Sequence, residues 1–327
     1  MKLSESDRHI LTAIQFSADI PIAEFARKLG QQTHVVRHTL SKALEAGAIA
    51  RRAYVNTYRL GLSSFALFVT LDSRSAESRK KFRDQLFSSP NVVQLIELGG
   101  SFDFAVILCV HNPEEVSMCL ERMSKAAGTG LAEKLVHVRT GWYHFGARYL
   151  ESGSKKLKPM PFFPGTAPIT IDATDHRILV VYSQSPDGNE QEMARKLGMA
   201  LSTMQYRLEK LRSQEVIVGT IYQIVPEVLG YQSFRLLLST RRPEAEFRKA
   251  LLDWVEKNDS VVSMMCGFGP WDYELRVETQ TTALARDVSD SLIDGFKELV
   301  TKVNIVPVAK ILKVSTYPFE IDSKPQN

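Results

Sequence analysis

The sequence predicts a mixed α+β fold that contains two copies of one unit. Residues 26–30 read ARKLG, and the same five residues return at 194–198, an offset of 168 positions (194 − 26). Leu60-Gly61 is matched by Leu229-Gly230, and the Gly-x-aromatic-Asp-aromatic string at 100–104 is matched at 269–273. A register kept over so many residues indicates an internal repeat.

The first copy begins with three short helices. Residues 4–7 (SESD) have the pattern of a capping box, in which a serine hydroxyl and a carboxylate satisfy free amides at a helix start. A second helix is predicted from Pro21 to Gly30 and a third from Thr33 to the residue before Gly47, because apolar residues recur there at helical spacing. Three such helices, the last two joined by three or four residues, are typical of a helix-turn-helix.

A strand or wing is predicted at 49–58, which is rich in Arg, Val and Tyr. The second copy repeats this plan. Its predicted elements are a helix that opens at 172–175, a helix at 190–197, a third helix with Met204, Leu208 and Leu211 facing inward, and a strand at 217–225.

Behind each helical segment the predicted order is βαββαβ. In the first copy the strands lie at 63–71, 92–98, 104–110 and 135–143, and the helices at 76–88 and 113–127. In the second copy the strands lie at 231–240, 261–266, 273–277 and 300–313, and the helices at 243–257 and 282–295. This order predicts a ferredoxin-like antiparallel sheet with two helices on one face.

These patterns divide the chain into six parts. They are a helix-turn-helix at 1–60, a ferredoxin-like domain at 61–150, a proline-rich and therefore semi-rigid linker at 151–170, a second helix-turn-helix at 171–228, a second ferredoxin-like domain at 229–319, and a tail at 320–327.

Length and composition fit an ordinary globular protein of more than one core, with 327 residues, 44% of them hydrophobic and 24% charged. No apolar run approaches the roughly 18–20 residues that cross a bilayer, and the first residues lack a signal-peptide core. We therefore expect a cytoplasmic protein without a membrane partner. The three cysteines are unclustered and lie in apolar segments, which favours packed thiols over disulfides or a metal site.

The joint order of these features resembles the leucine-responsive regulator (Lrp/AsnC) family of transcription factors. In the second copy the similar positions are 194–198, Met204, 207–211, 216–217 and Gly219, and in the first they are Leu29-Gly30, Leu40, Lys42, Gly47 and Ile49. The resemblance implies double-stranded DNA as a partner. It also implies that each βαββαβ part binds a small effector, often an amino acid, and pairs with another sheet to sheet, within the chain as a pseudo-dimer or between chains as a homo-oligomer. Two copies in one chain depart from the single copy of most members.

A recognition helix needs long polar side chains on its outer face, since phosphate contacts position it and base contacts specify sequence. The first copy is the more basic one: residues 1–60 carry nine Lys/Arg against five Asp/Glu, and residues 171–228 carry six against eight. The DNA-binding candidates of the first copy are Thr33, His34, Arg37, His38, Ser41 and Lys42 on the third helix, with Arg51 and Arg52 on the wing. The alternative for these side chains is an ordinary solvated helix face.

In the second copy the candidates are Ser202, Gln205, Tyr206, Arg207, Lys210 and Arg212. Acidic residues at 187, 190, 192 and 215 surround them and would repel phosphates. This copy is therefore a DNA-binding surface or, alternatively, a packing or partner surface. Thr39 stands where the second copy has Arg207, which departs from the family pattern.

The effector candidates lie in the turn between the second and third strands of each βαββαβ part. They are Gly100, Ser101, Phe102 and Asp103 in the first copy and Gly269, Trp271 and Asp272 in the second. Glycines allow close backbone approach to a ligand, and free amides there can hold a carboxylate. The same residues also suit a tight strand connection with a packed aromatic and an Asp bonded to turn amides.

The sequence therefore predicts a DNA-binding transcription regulator that responds to an amino-acid-like effector. No nucleophile elbow, phosphate loop or metal-ligand spacing is recognised, and His137, His144 and His176 are not at ligand spacing, so we expect no enzyme, catalytic residue, metal or cofactor. Two alternatives stay open. One is a tetrapyrrole enzyme similar to the sirohaem decarboxylases, which have similar two-part chains, and the other is a module that contacts only protein.

Overall fold

The computed structural model describes residues 1–72, 75–128, 130–151, 157–184, 189–241 and 245–319. Residues 152–156 of the predicted linker, the first two residues of the helix predicted at 243–257, and the predicted tail at 320–327 lie outside this part. None of the described helices combines the length and the apolar character needed to cross a bilayer.

The N-terminal segment folds into α1 (Glu5–Ile14), α2 (Ile22–Leu29), α3 (Thr33–Glu45) and β1 (Ile49–Val55). The predicted capping box starts α1, because the amides of Asp7 and Ser4 donate reciprocally to the side chains of Ser4 and Asp7, both at 3.1 Å. Gly30 ends α2 with a φ of 69°, a left-handed conformation that glycine adopts without steric cost. The three predicted helices are therefore confirmed.

The first sheet segment has the order βαββαβ. Its elements are β2 (Ser63–Leu71), α4 (Ala76–Phe87), β3 (Val92–Leu98), β4 (Phe104–Val110), α5 (Pro113–Ala127) and β5 (Leu131–His144), followed by the short β6 (Met160–Phe162) in the predicted linker. The strand β5 is longer than the predicted 135–143. It needs this length because its first part pairs with β2 and its last part with a strand of the second copy.

The second copy repeats both segments, which is consistent with a mixed α+β chain of two units. Its elements are α6 (Ala173–Gln184), α7 (Glu190–Leu197), α8 (Leu201–Ser213), β7 (Ile217–Ile224), β8 (Gln232–Thr240), α9 (Ala245–Lys257), β9 (Val261–Phe268), β10 (Tyr273–Thr279), α10 (Thr282–Gly295) and β11 (Val300–Val314).

Eight strands from both copies form one closed antiparallel ring in the order β2-β4-β3-β11-β8-β10-β9-β5, and β5 pairs again with β2. The two long strands make the joints between the copies. Residues 300–307 of β11 pair with β8 and residues 308–314 with β3, and β5 joins β2 to β9 in the same way. The helices α4 and α5 cover the outside of one half of the ring with an apolar core, and α9 and α10 cover the other half.

The strands β1 and β7, which we call the wings, pair with each other rather than with the ring. Strands β1 and β7 form a separate antiparallel sheet, with Ala53 opposite Thr220. Each wing also completes the helical core of the other copy: Ala53 and Val55 of β1 pack among the helices α6 to α8, and Tyr222 and Ile224 of β7 pack among α1 to α3. The two three-helix segments therefore share their cores.

One end of the ring interior is filled by aromatic side chains. Phe68 packs edge-on against Phe102 and Trp271, with ring centroids 5.4 and 4.9 Å apart. His137 stacks on Trp271 at 5.0 Å with an interplanar angle of 11°. These contacts join the two copies through apolar area and ring stacking.

Two histidines inside the fold are held neutral. Burial lowers the pKa of His137 to about 4; the nearby Glu274 opposes this shift, and Arg139 adds to it. Burial, aided by Arg276, also lowers the pKa of His144 to about 4, and His144 Nδ1 lies 3.1 Å from the carbonyl oxygen of Val262. Neither imidazole carries a charge at neutral pH.

Acidification should destabilise the fold between about pH 6.5 and pH 4. The folded protein keeps both imidazoles neutral, whereas the unfolded chain protonates them at their ordinary pKa. Stability is therefore complete above about pH 6.5 and is lost as the pH falls toward 4. Each histidine contributes up to about 3 kcal/mol to this loss. Urea unfolding near pH 7.5 and near pH 5 measures it.

The variant His137→Phe is the matched comparison, because phenylalanine can keep the stack on Trp271 and does not titrate. We expect its free energy of unfolding to fall by about 2 kcal/mol less than that of the parent between the two pH values. An equal fall in both proteins would show that His137 is not held neutral.

Candidate functional site

The outer face of α3 is open to solvent. His34, Arg37, His38 and Ser41 are exposed, and Thr33 is half-buried at the start of the helix. The inner face, with Val36, Leu40 and Ala43, lies in the apolar core of the first helical segment. The predicted division of α3 into an inner apolar face and an outer polar face is therefore present in the structure.

A carboxylate on the first helix of each segment holds the third helix in place. Thr39 Oγ1 donates to Asp7 Oδ1 at 2.9 Å, and Lys42 Nζ lies 3.3 Å from Asp7 Oδ2. Burial opposes the ionisation of Asp7, but hydrogen bonds from Ser4, Thr39 and Lys42 outweigh it and hold the pKa of Asp7 below its ordinary value. Lys42, predicted to contact DNA, is therefore engaged within the protein although it stays exposed.

The second copy repeats this contact with more charged groups, because an arginine replaces the threonine and a second aspartate takes part. Arg207 Nη1 lies 2.7 Å from Asp175 Oδ1 and 2.8 Å from Asp172 Oδ2, and Lys210 Nζ lies 3.1 Å from Asp175 Oδ2. Asp175 is fully buried, so both cations are directed toward α6. The pairs 7/175, 39/207 and 42/210 all keep the 168-residue offset of the repeat. The exposed remainder of this face is Ser202, Gln205 and the 71%-exposed Tyr206.

The wing arginines lie partly inside the protein. Arg51 donates to the carbonyl oxygen of Ala18 at 2.8 Å and lies over the ring of Tyr222, and Arg52 is also half-buried. Arg212 pairs with Glu190 at 3.3 Å. Of the predicted DNA-binding set, the exposed cation without an ion pair in the described part of the chain is Arg37.

The two glycine-containing turns are held by contacts within the protein. The carboxylate of Asp103 accepts from the Leu71 amide at 2.9 Å and pairs with Arg79, and that of Asp272 accepts from the amide and the hydroxyl of Thr240 at 2.7 and 2.9 Å. Phe102 and Trp271 are buried in the aromatic end of the ring. Gly269 has a φ of 136°, and a Cβ there would lie 2.9 Å from the Val136 carbonyl oxygen.

The remaining predicted turn residues fit the same account. Gly100 has a φ of 79°, and the carbonyl oxygen of Ser101 accepts from the Thr70 hydroxyl at 2.9 Å. A tight, packed strand connection therefore explains both turns without a ligand.

The structure contains a further site, which includes none of the predicted site residues. A cavity of about 120 Å³ lies between the wing sheet and the polar end of the ring. Tyr54, Trp142, His144 and Phe162 supply aromatic walls, and the rings of Trp142 and Phe162 stack at 4.2 Å. Tyr54 belongs to β1 and the other three to β5 and β6, so the cavity lies between a wing and the ring. We call it the central cavity.

Three arginines line the central cavity, and two buried glutamates pair with them. Arg139 and Arg235 are buried, and Arg276 is half-buried. Glu274 Oε2 lies 2.6 Å from Arg139 Nη2, and Glu274 Oε1 lies 3.0 Å from Arg235 Nη1. Arg276 pairs with Glu278, whose other oxygen accepts from the Tyr149 hydroxyl at 2.6 Å. Removing these charges from water is costly, so their mutual pairing is a condition for burying them.

Burial disfavours the charged form of both members of one pair, but the neighbouring charges change the net result for each. Burial, together with the nearby Arg276 and Arg139, lowers the pKa of Arg235 to about 10. Burial also opposes the ionisation of Glu274, but Arg139 and Arg235 on either side outweigh it and hold the pKa of Glu274 below its ordinary value. Both groups therefore stay charged at neutral pH, in a cluster rich in cations.

The sequence contained one signal for this cluster. Along β10, the charged residues Glu274, Arg276 and Glu278 alternate with apolar residues that face the helix side of the sheet. Charged residues that alternate with apolar residues along a strand with two buried faces point to charges inside a closed sheet. The partners Arg139 and Arg235 lie on other strands, so spacing along the chain could not assemble them.

No family model matches the chain. A curated relative, described as an uncharacterized HTH-type transcriptional regulator of Haemophilus influenzae, is 27% identical over 114 residues, which are 34% of this chain and 68% of that protein. The regulatory protein AsnC of the same organism is 26% identical over 136 residues, which are 42% of this chain and 90% of that protein.

A solved structure matches along almost the whole chain. The crystal structure of the siroheme decarboxylase NirDL has a TM-score of 0.60 and 12% identity, and the match covers 96% of this chain and 94% of that chain. The same enzyme in co-complex with an iron-uroporphyrin III analogue matches with the same TM-score and 13% identity. At this identity the likeness shows a shared fold.

The prediction that the chain is not an enzyme is wrong by this comparison, because the fold that matches nearly its whole length is that of an enzyme. Fold and reaction are separable, so the site must decide what this chain does. At the level of sequence, the predicted resemblance to the Lrp/AsnC family of transcription regulators is confirmed, over about two fifths of the chain.

Proposed function

We propose that this chain is a sequence-specific DNA-binding transcription regulator that reads DNA mainly through α3. The observation that carries the proposal is the outer face of α3, where Arg37 and three neighbouring polar side chains are exposed on a helix fixed from behind by Asp7. Long donors on a rigid helix can contact phosphates and base edges. The similarity to a relative described as an HTH-type transcriptional regulator and to the regulatory protein AsnC supports the same role.

The two copies would contribute unequally. On α8 the cations Arg207, Lys210 and Arg212 all pair with carboxylates of the protein, which leaves a polar, weakly charged outer face. Phosphate contacts supply much of the affinity for DNA, so we assign most of that affinity to α3. The outer face of α8, with Tyr206 at its centre, then adds hydrogen bonds and apolar contact or faces a partner.

The proposed architecture is two winged helix-turn-helix units on two ferredoxin-like halves that pair within one chain. The pairing of β3 with β11 and of β5 with β9 supports an intrachain pseudo-dimer. The paired wings β1 and β7 would fix the two readers relative to each other. A ligand that moves the wings would therefore change how both readers meet DNA.

Replacing Arg37 with alanine should weaken binding to a selected duplex by roughly tenfold, because one charge-assisted contact to DNA is lost. Fluorescence anisotropy at fixed salt measures the change, on a duplex isolated by genomic selection with the parent protein. Arg248→Ala is the matched control, since it removes one exposed arginine from α9 on the ring. Equal affinity in Arg37→Ala and the parent would remove α3 from the proposal.

A second candidate function is decarboxylation of a tetrapyrrole. The whole-chain fold likeness to siroheme decarboxylase favours it, as does the central cavity, which is lined by arginines for substrate carboxylates and by the neutral His144. The size of the cavity argues against it, because about 120 Å³ is well below the roughly 300–1,000 Å³ of pockets that enclose drug-sized ligands. A tetrapyrrole would have to open the wing sheet away from the ring.

Titration with sirohaem tests the second candidate. Binding in the central cavity predicts a shifted Soret band in the parent that is lost in His144→Phe and kept in His111→Phe, whose ring lies outside that cavity. The first candidate instead predicts no shift in any of the three proteins. An unchanged spectrum in the parent would leave the decarboxylase without a binding step.

A further inference from the structure

Apart from Arg235 Nη1, which forms an ion pair with Glu274, six buried polar atoms on residues that line the central cavity have no hydrogen-bond partner in the described part of the chain. They are the Nε atoms of Arg139, Arg235 and Arg276, Oδ1 of Asn56, Oε1 of Gln94 and Oγ1 of Thr316. Arg139, Arg235 and Asn56 are each more than nine-tenths buried. Buried polar groups are nearly always paired, so a concentration of unpaired ones around one cavity points to a ligand.

The charges around the cavity favour an anion. Three guanidinium groups face two carboxylates, which leaves one positive charge in excess (3 − 2). Both glutamates are already engaged, Glu274 by two arginines and Glu278 by Arg276 and Tyr149. Water could satisfy hydrogen bonds here, but it would not neutralise the excess charge. A monoanion does both.

The unpaired acceptors specify a second feature of the ligand. The Asn56 amide nitrogen donates to the Phe163 carbonyl oxygen at 3.2 Å, which fixes Oδ1 as the free acceptor. Asn56, Gln94 and Thr316 can thus receive an O–H or N–H group, while the arginines donate to a carboxylate. The aromatic walls formed by Tyr54, Trp142 and Phe162 favour a flat ring between these two polar ends.

The volume sets an upper limit on the size of the ligand. A cavity of about 150 Å³ in another protein binds benzene, and the central cavity measures about 120 Å³. Because the central cavity is no larger than one that holds benzene, a ligand with more than one ring does not fit without movement of the wing sheet.

We propose that the central cavity binds a small aromatic monocarboxylate that also carries a hydroxyl or amino donor. The site is built from both copies and from both wings, since Asn56 follows β1, Gln223 belongs to β7, and Arg139 and Arg235 come from different halves of the ring. Its use as the effector site of a regulator rests on the proposed function. Its occupancy by the ligand does not.

Isothermal titration calorimetry of the full chain with 4-hydroxybenzoate tests the site. We expect one binding site per chain, at least tenfold weaker binding of the neutral 4-hydroxybenzamide, and weaker binding of benzoate, which lacks the donor. Thr316→Val removes one acceptor at nearly constant volume and should weaken 4-hydroxybenzoate binding severalfold. Thr282→Val, at the exposed start of α10, should leave binding unchanged.

A second variant keeps the test decisive if the loss at Thr316 is small. Val93→Phe fills part of the cavity, leaves every residue of the ion pairs unchanged, and should abolish binding of the carboxylate. Equal affinity for the carboxylate and the amide, or binding that survives in Val93→Phe, would overturn the proposal. Fluorescence anisotropy on duplex DNA, with and without 4-hydroxybenzoate, then separates the cavity site from the proposed function. If Arg37→Ala binds DNA as tightly as the parent, the role of α3 in DNA binding is refuted, and the cavity site is unaffected.

Discussion

The closed ring of strands is the constraint on which the rest of the structure depends. Its two long strands, β5 and β11, each pair with their own half at one part of their length and with the other half at another. Without this exchange each half would present unpaired strand edges, which is unfavourable in water and prone to association. Closure also creates an interior with two different ends, an aromatic one around Trp271 and a charged one around Glu274.

The charged end of the ring is not explained by stability. Buried ion pairs contribute little net stability, because the cost of taking the charges out of water is comparable to their attraction, and apolar residues of similar size often do as well. Arg139, Arg235 and Arg276 nevertheless line the central cavity, next to its aromatic walls. Such an arrangement is typical of a binding site, where a ligand completes the pairing. The proposed carboxylate would have that role.

Duplication within one chain permits the two copies to differ. The contact behind the third helix uses Thr39 and Lys42 with Asp7 in the first copy and Arg207 and Lys210 with Asp175 in the second. The arrangement in the first copy leaves the outer face of α3 more basic than the outer face of α8. The sequence relationship to regulators and the whole-chain fold likeness to an enzyme are compatible, because one fold can carry either chemistry and the contents of the cavity decide between them.

The sequence by itself determined the repeat, the order of the elements and the inner and outer faces of the helices, because these depend on periodicity, capping and glycine positions along a continuous stretch. It could not place the joints between the copies or the pairing of the wings. In both cases the paired strands lie far apart in the chain: β5 pairs with β9, β11 with β3, and β1 with β7. For the same reason, Arg207 and Lys210 read as DNA contacts in the sequence but pair with Asp175 in the structure. Only the tertiary structure brings Arg139, Arg235 and Glu274 together, because closing the ring is what makes distant inward positions neighbours.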